Sequence, residues 1–179
     1  MPYPPVVIVD EHDVVIGEAP LPEAWAKGLI HRTVLIVLEN REGQVLLQRR
    51  AADMRLYPDC WDASAGGHVD NGNSYARAAQ LEIEEELGVT VPIDDLEEVT
   101  TFYSEAPYPD VHTPRRFVRI YKAQIEALPA TLDAREVSAV QWFTVPEIKA
   151  LITVHPDEVA VGLMAIYEHV FAGKRIAAI

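Results

Sequence analysis

Ser64-Ala65-Gly66-Gly67-His68-Val69 leads through the polar turn Asp70-Asn71-Gly72 into Ser74-Tyr75-Ala76-Arg77-Ala78-Ala79-Gln80-Leu81-Glu82-Ile83-Glu84-Glu85-Glu86-Leu87-Gly88. The second half predicts a helix. Asn73 or Ser74 can cap its N-terminus, Gly88 stops it at C′, and Ala76, Ala79, Ile83 and Leu87 recur at helical spacing as an apolar stripe. Glu82, Glu85 and Glu86 stand at i, i+3 and i+4, so they share one face, and Glu84 points elsewhere. Like charges at this spacing repel by roughly 0.2–0.5 kcal/mol per pair, close to a helix C-terminus that also disfavours anions. A solvated acidic face is the ordinary reading of such a run. The glycine pair upstream adds a second, since glycine lets backbone approach a ligand and a hard cation turns carboxylate repulsion into binding.

On either side of this unit, Val6 to Val9 and Val14 to Gly17 flank Asp10-Glu11-His12-Asp13 and predict a hairpin. Pro22 to Lys27 reads as a short helix stopped by Gly28. Thr33 to Leu38 reads as a buried strand, Gln44 to Gln48 as its return, and residues 51–63 as irregular. Leu96 to Glu105, Phe117 to Ile125 and Val137 to Phe143 predict further strands, with a loop at 107–114 carrying Tyr108, Asp110 and His112. Pro146 to Ile152 predicts a short helix, and a last helix is expected from Pro156 to about Phe171. The mixture lacks the regular βαβ alternation of a doubly wound sheet, so a mixed sheet between helices is expected. The expected organisation is one domain over 1–179, with 1–5 as an extended tail, 6–28 as hairpin and short helix, and 153–179 as a C-terminal helical segment.

The chain has 179 residues and a net charge of −13. Such an excess of acid repels nucleic acid and anionic membrane, so neither is an expected partner. A single cysteine, Cys60, excludes an intrachain disulfide or a Cys-rich zinc site. The N-terminus has neither the basic nor the apolar region of a secretory leader, and no apolar run is long enough to span a bilayer; the expectation is a reduced, cytoplasmic protein.

The glycine loop and acidic helix resemble the signature of the Nudix hydrolases: Gly, five residues, Glu, seven residues, Arg-Glu, an aliphatic, any residue, Glu-Glu, any residue, Gly, an aliphatic. Gly67, Glu82, Ile83, Glu85, Glu86, Gly88 and Val89 fall on their places. Asn73 stands where the first Glu belongs and Leu81 where the Arg belongs. Their loss as a pair removes a brace between loop and helix without stranding a charge. The resemblance extends from about residue 6 to 160 and is nearest the isopentenyl-diphosphate isomerase branch. It is carried by Val9-Asp10-Glu11, Leu29-Ile30-His31-Arg32, Gln48-Arg49-Arg50, Pro58, Trp61-Asp62, Ser64 to Val69, Glu136-Val137, Trp142 and Pro146-Glu147.

The resemblance implies an α/β/α sandwich with a mixed sheet, and a Mg²⁺ or Mn²⁺ site from Glu85, Glu86 and the Gly67 carbonyl. Glu82 is implied as general base or a further ligand, and a small-molecule diphosphate, by default a nucleoside-diphosphate derivative, as substrate. Arg50 and Arg55 are candidate contacts for its far phosphate. Arg115, Arg116 and Arg119 form a second basic patch; strand alternation puts Arg119 on the face of Phe117 and Tyr121, where it either lines a pocket or gives an edge strand its charge. Glu136 either reaches the metal or caps the turn before Val137. His31 and His68 fit a structural role or a ligand role. Aromatic residues Tyr57, Trp61, Tyr75, Tyr103 and Tyr108 either stack on substrate or pack. The family also allows a homodimer.

Isomerase activity is disfavoured, because Gly66 occupies the place of its proton-transferring cysteine, no acid stands in His112-Thr113-Pro114-Arg115-Arg116, and Ala24 falls where a further metal-binding His belongs. A third reading is a non-catalytic Nudix-fold protein that binds a nucleotide or a partner. Asn73 and Leu81 support it; the retained carboxylates oppose it.

Overall fold

The computed structural model describes residues 4–107 and 113–172. Tyr108, Asp110 and His112 of the expected loop, the first three residues of the expected tail and the end of the expected C-terminal segment lie outside them. The strands are β1 (Val6–Val9), β2 (Val15–Ala19), β3 (Ile30–Glu39), β4 (Val45–Arg50), β5 (Trp61–Asp62), β6 (Ala65–His68), β7 (Glu97–Ser104), β8 (Arg115–Gln124) and β9 (Val137–Phe143). The helices are α1 (Leu21–Lys27), α2 (Tyr75–Leu87), α3 (Val145–Val154) and α4 (Val161–Ile166), the last running into one wide π turn at Tyr167–Phe171.

β3 organises the sheet. Ten consecutive residues, Ile30 to Glu39, pair in parallel with Arg115 to Gln124 of β8. On its other side β3 pairs antiparallel with β6, with β1 and, at Glu39, with β4. β7 extends the sheet beyond β8, and β9 and β5 extend it beyond β4. The result is a mixed open sheet flanked by helices.

Alternation along β3 and β4 divides the core into two layers. Val34, Ile36, Leu38 and Leu46 meet Ala79, Ile83 and Leu87 of α2 on one face. Val37 and Leu47 meet Ile148 of α3 and Leu163 and Ile166 of α4 on the other. A smaller cluster joins Val6, Ile8 and Ala19 to Ala24 of α1. Each fully buried aliphatic side chain here stabilises the fold by roughly 1.5–3 kcal/mol.

The caps of α2 follow from sequence. Ser74 accepts the Arg77 N–H at 3.2 Å, and Gly88 adopts the left-handed conformation with φ 62°. The last helix differs from expectation. Pro156–Glu158 forms only one tight turn, and α4 begins at Val161. Between them Val159 pairs with Trp61, and the Ala160 N–H donates to the Trp61 carbonyl at 2.9 Å. That pairing with β5 holds the backbone extended where a helix was expected. No helix among the described residues is long and apolar enough to cross a membrane.

Candidate active site

β6 and α2 meet edge to face. Val69 N–H donates to the Arg32 carbonyl at 3.0 Å, so Arg32 and Val69 form a hydrogen-bonded pair of the antiparallel ladder. Alternation then makes Val34–Gly67 a bonded pair and Leu35–Gly66 an unbonded one. The Gly66 backbone therefore faces away from β3, and its N–H donates to Glu86 Oε2 at 3.1 Å. The Gly67 carbonyl turns into the sheet toward Val34. This shifts the outward backbone position from Gly67, where the sequence suggested it, to Gly66. What Gly67 supplies is space: a Cβ there would fall within the Glu82 carboxylate.

Glu82, Glu85 and Glu86 come together on one side of α2, with Glu84 exposed away from them. A fourth acid joins them. Asp133 N–H donates to the Glu86 carbonyl at 3.0 Å, and Val137 N–H to the Asp133 carbonyl at 2.8 Å. The segment so tied to the end of α2 delivers Glu136. Glu82, Glu85, Glu86 and Glu136 line one cavity of about 390 Å³, with Asp133 and Arg135 at its wall. The capping role set beside Glu136 in the sequence thus yields to a place among the acids. Arg135 pairs with Asp133 at 2.5 Å and holds that carboxyl down at about 2.

The acids are electrostatically strained. Burial, then the charges of Glu85, Glu136 and Asp70, push Glu82 up to about 8. Burial, then Glu82 and Glu136, raise Glu86 well above the usual carboxylate range, against the Gly66 N–H, which lowers it. Burial and Asp133 raise Glu136, and burial and Glu85 raise Asp70. Gln48 sits beside Glu86, its Nε2 donating to Oε2 at 3.4 Å, and its Oε1 is buried with no hydrogen-bond partner.

Among the described residues no three His, Cys, Asp or Glu side chains stand close enough to cage an ion. The acids line a shared cavity instead. Their donor set still fits a hard divalent cation: repelling carboxylates from α2 and from the segment before β9 face one cavity, with the outward Gly66 backbone beside Glu86. Gln48 and Asp70 were not singled out in sequence, because only strand pairing brings them here.

The cavity opens into a cleft of about 1200 Å³ that also reaches Arg50, Arg55, His68 and Arg116. Arg50 donates to Asp62 Oδ2 at 3.3 Å and to the Leu56 carbonyl at 3.0 Å, so it forms a salt bridge inside the cleft. Arg55 is exposed at its wall. Arg49 faces Asp59 and the Trp61 ring instead. His31 and His68 stack with ring centroids 5.3 Å apart. Burial, joined by the Arg116 charge, holds His31 at about 4 and His68 at about 3.

Arg119 does not reach the cleft. It lies 4.0 Å over the Tyr75 ring with Arg32 at 4.8 Å, and Tyr75 Oη donates to Asp13 at 3.1 Å. Arg32 Nε donates to the same carboxylate at 2.7 Å. This cluster ties the β1–β2 turn to the first turn of α2.

The Nudix domain family matches residues 29–161. An uncharacterised Nudix hydrolase of Pseudomonas aeruginosa is 36% identical over 140 residues, 78% of each chain. Isopentenyl-diphosphate Delta-isomerase 2 of Photorhabdus laumondii is 30% identical over 152 residues, 85% of this chain and 84% of that one. The crystal structure of DR0079 from Deinococcus radiodurans superposes with a TM-score of 0.75 at 26% identity, covering 93% of this chain and 99% of that one. A glycine strand against an acidic helix, in this sheet and across this span, places the chain in the Nudix hydrolase family.

Proposed function

We propose that the chain is a divalent-cation-dependent hydrolase that cleaves the diphosphate linkage of a nucleoside-diphosphate derivative or a similar small organic diphosphate. The observation that carries this reading is the set of four glutamates around one cavity, with Glu82 raised to about 8. A binding module gains nothing from such repulsion, whereas a site built for a cation does. Glu82, Glu85, Glu86 and the Gly66 carbonyl are the groups that would hold Mg²⁺ or Mn²⁺. When bound, the ion supplies neutralisation of phosphate oxygens and a lowered pKa for water.

The chain's own residues do the rest. Glu82 and Glu136 face the same cavity as potential acceptors of the water proton, and Glu82, pressed against Gly67, has the more fixed position. Water attacks phosphorus, the bridging P–O bond breaks, and each product keeps one phosphate. Arg55 and Arg50 meet the far phosphate, Arg50 being oriented by Asp62. Gly66 has no side chain to move a proton at an alkene carbon. Cys60 does not replace it: its thiol faces the Asp157 carbonyl at 3.5 Å, and burial pushes its pKa up.

The test is product release from nucleoside di- and triphosphates, nucleotide sugars, dinucleotides, thiamine diphosphate and isopentenyl diphosphate, each with Mg²⁺, Mn²⁺ or EDTA. Metal-dependent turnover of any member supports the reading. Tight binding without turnover across the set overturns it in favour of a binding protein.

A further inference from the structure

The cleft holds a second polar centre that the acidic site does not use. Arg116 is only 5% exposed yet lines the cleft. It pairs in register with His31 across β3 and β8, and His68 pairs with Thr33 across β3 and β6. Alternation puts Arg116, His31 and His68 on one face of the sheet, the face that carries Leu35 and Gly66. Trp25 of α1 stands 6.2 Å from the His68 ring and closes this end. The Nε2 atoms of His31 and His68 are both buried without a hydrogen-bond partner. The Arg116 charge acts on both rings.

We propose that Arg116, with His68 beside it, forms the seat for a phosphoryl oxyanion of the substrate, at the floor of the cleft and apart from Arg50 and Arg55. This rests on the diphosphate reading of the same cleft. A guanidinium fixed by burial presents a planar fork that matches a phosphoryl group, and His68 Nε2 supplies unused hydrogen-bonding capacity next to it. A cation is the wrong ligand here, because it would sit beside a permanent positive charge.

The experiment titrates inorganic diphosphate into the full chain in EDTA, by calorimetry and by the ring ¹⁵N signals of assigned His31 and His68. The wild type is expected to bind, with the His68 ring signals moving. Arg116→Gln is expected to weaken binding by about 10- to 100-fold and to abolish that movement, with Arg116→Lys between the two. If Arg116→Gln melts early, Arg116→Lys decides. Equal affinity in wild type and a folded Arg116 variant, or His68 signals unmoved by diphosphate, overturns the inference. So does Zn²⁺ ligating the His68 ring nitrogen directly. Metal-dependent turnover with an unchanged KM in Arg116→Gln defeats this seat alone, whereas no turnover in the wild type defeats the hydrolase reading instead.

Discussion

Gly66 donates its backbone N–H to Glu86 Oε2 at 3.1 Å, so the glycine strand and the acidic helix are joined at the carboxylate itself. The bond fixes one oxygen of Glu86 and leaves the other for the cavity. Glu86→Gln keeps an acceptor for Gly66 and removes the charge. Metal-dependent turnover in this variant is expected to fall at least about 100-fold, with a melting curve like the wild type's. Undiminished turnover removes Glu86 from the site.

Gly67→Ala places a methyl group inside the Glu82 carboxylate. Overpacking of this kind costs about 1–3 kcal/mol. Because both changes act at one contact, Gly67→Ala with Glu82→Ala is expected to be less destabilised than the sum of the singles, by chemical denaturation. Strict additivity contradicts the contact.

The pH dependence of the metal-free protein follows from two opposed sets of groups. Glu82 titrates at about 8 in the fold and Glu86 is raised too, so the folded state holds more protons than the unfolded one above pH 4.5. That stability is present at low pH and is lost as pH rises through the folded pKa. His31 and His68 are lowered to about 4 and 3, so their contribution runs the other way but is complete above pH 6.5. Between pH 6.5 and 8 the carboxylates alone remain, and Tm in EDTA is expected to fall across that window. Mn²⁺ is expected to raise Tm more at pH 8 than at pH 6.5, since it replaces protons on the same acids. A metal-induced shift independent of pH contradicts this.

Asn73→Glu combined with Leu81→Arg is expected to be tolerated, because both positions are only half-buried and α2 is also held at its first turn from another side. Asp13 ties the β1–β2 turn to that first turn, accepting from Arg32 and Tyr75. Asp13→Ala leaves both donors without it and is expected to lose about 1–3 kcal/mol, by denaturant melts. The double variant unfolding, with Asp13→Ala neutral, reverses the assignment.

The sequence carried α2 almost to the residue, because its stripe, its Ser74 cap and its Gly88 stop are all local signals. The strand and helix mixture was legible for the same reason. The start of α4 was not: Pro156 reads as a first helical residue, and only the pairing of Val159 with Trp61 overrides it. Spacing on a helix brought Glu82, Glu85 and Glu86 together. Glu136 and Arg116 reach the cleft, and Gln48 reaches Glu86, through strand pairings and a loop tied to Glu86, which no local pattern records. The outward turn of Gly66 rather than Gly67 depends on which ladder pairs are bonded, and that too is a property of register.

The most direct measurement is turnover in H₂¹⁸O with Mn²⁺, read by ³¹P NMR on whichever diphosphate of the set is cleaved. One ¹⁸O is expected on phosphorus in one of the two phosphate products, in wild type and not in Glu86→Gln. Products with no ¹⁸O on phosphorus, or labelling that persists unchanged in Glu86→Gln, would contradict water attack at phosphorus by this acidic site.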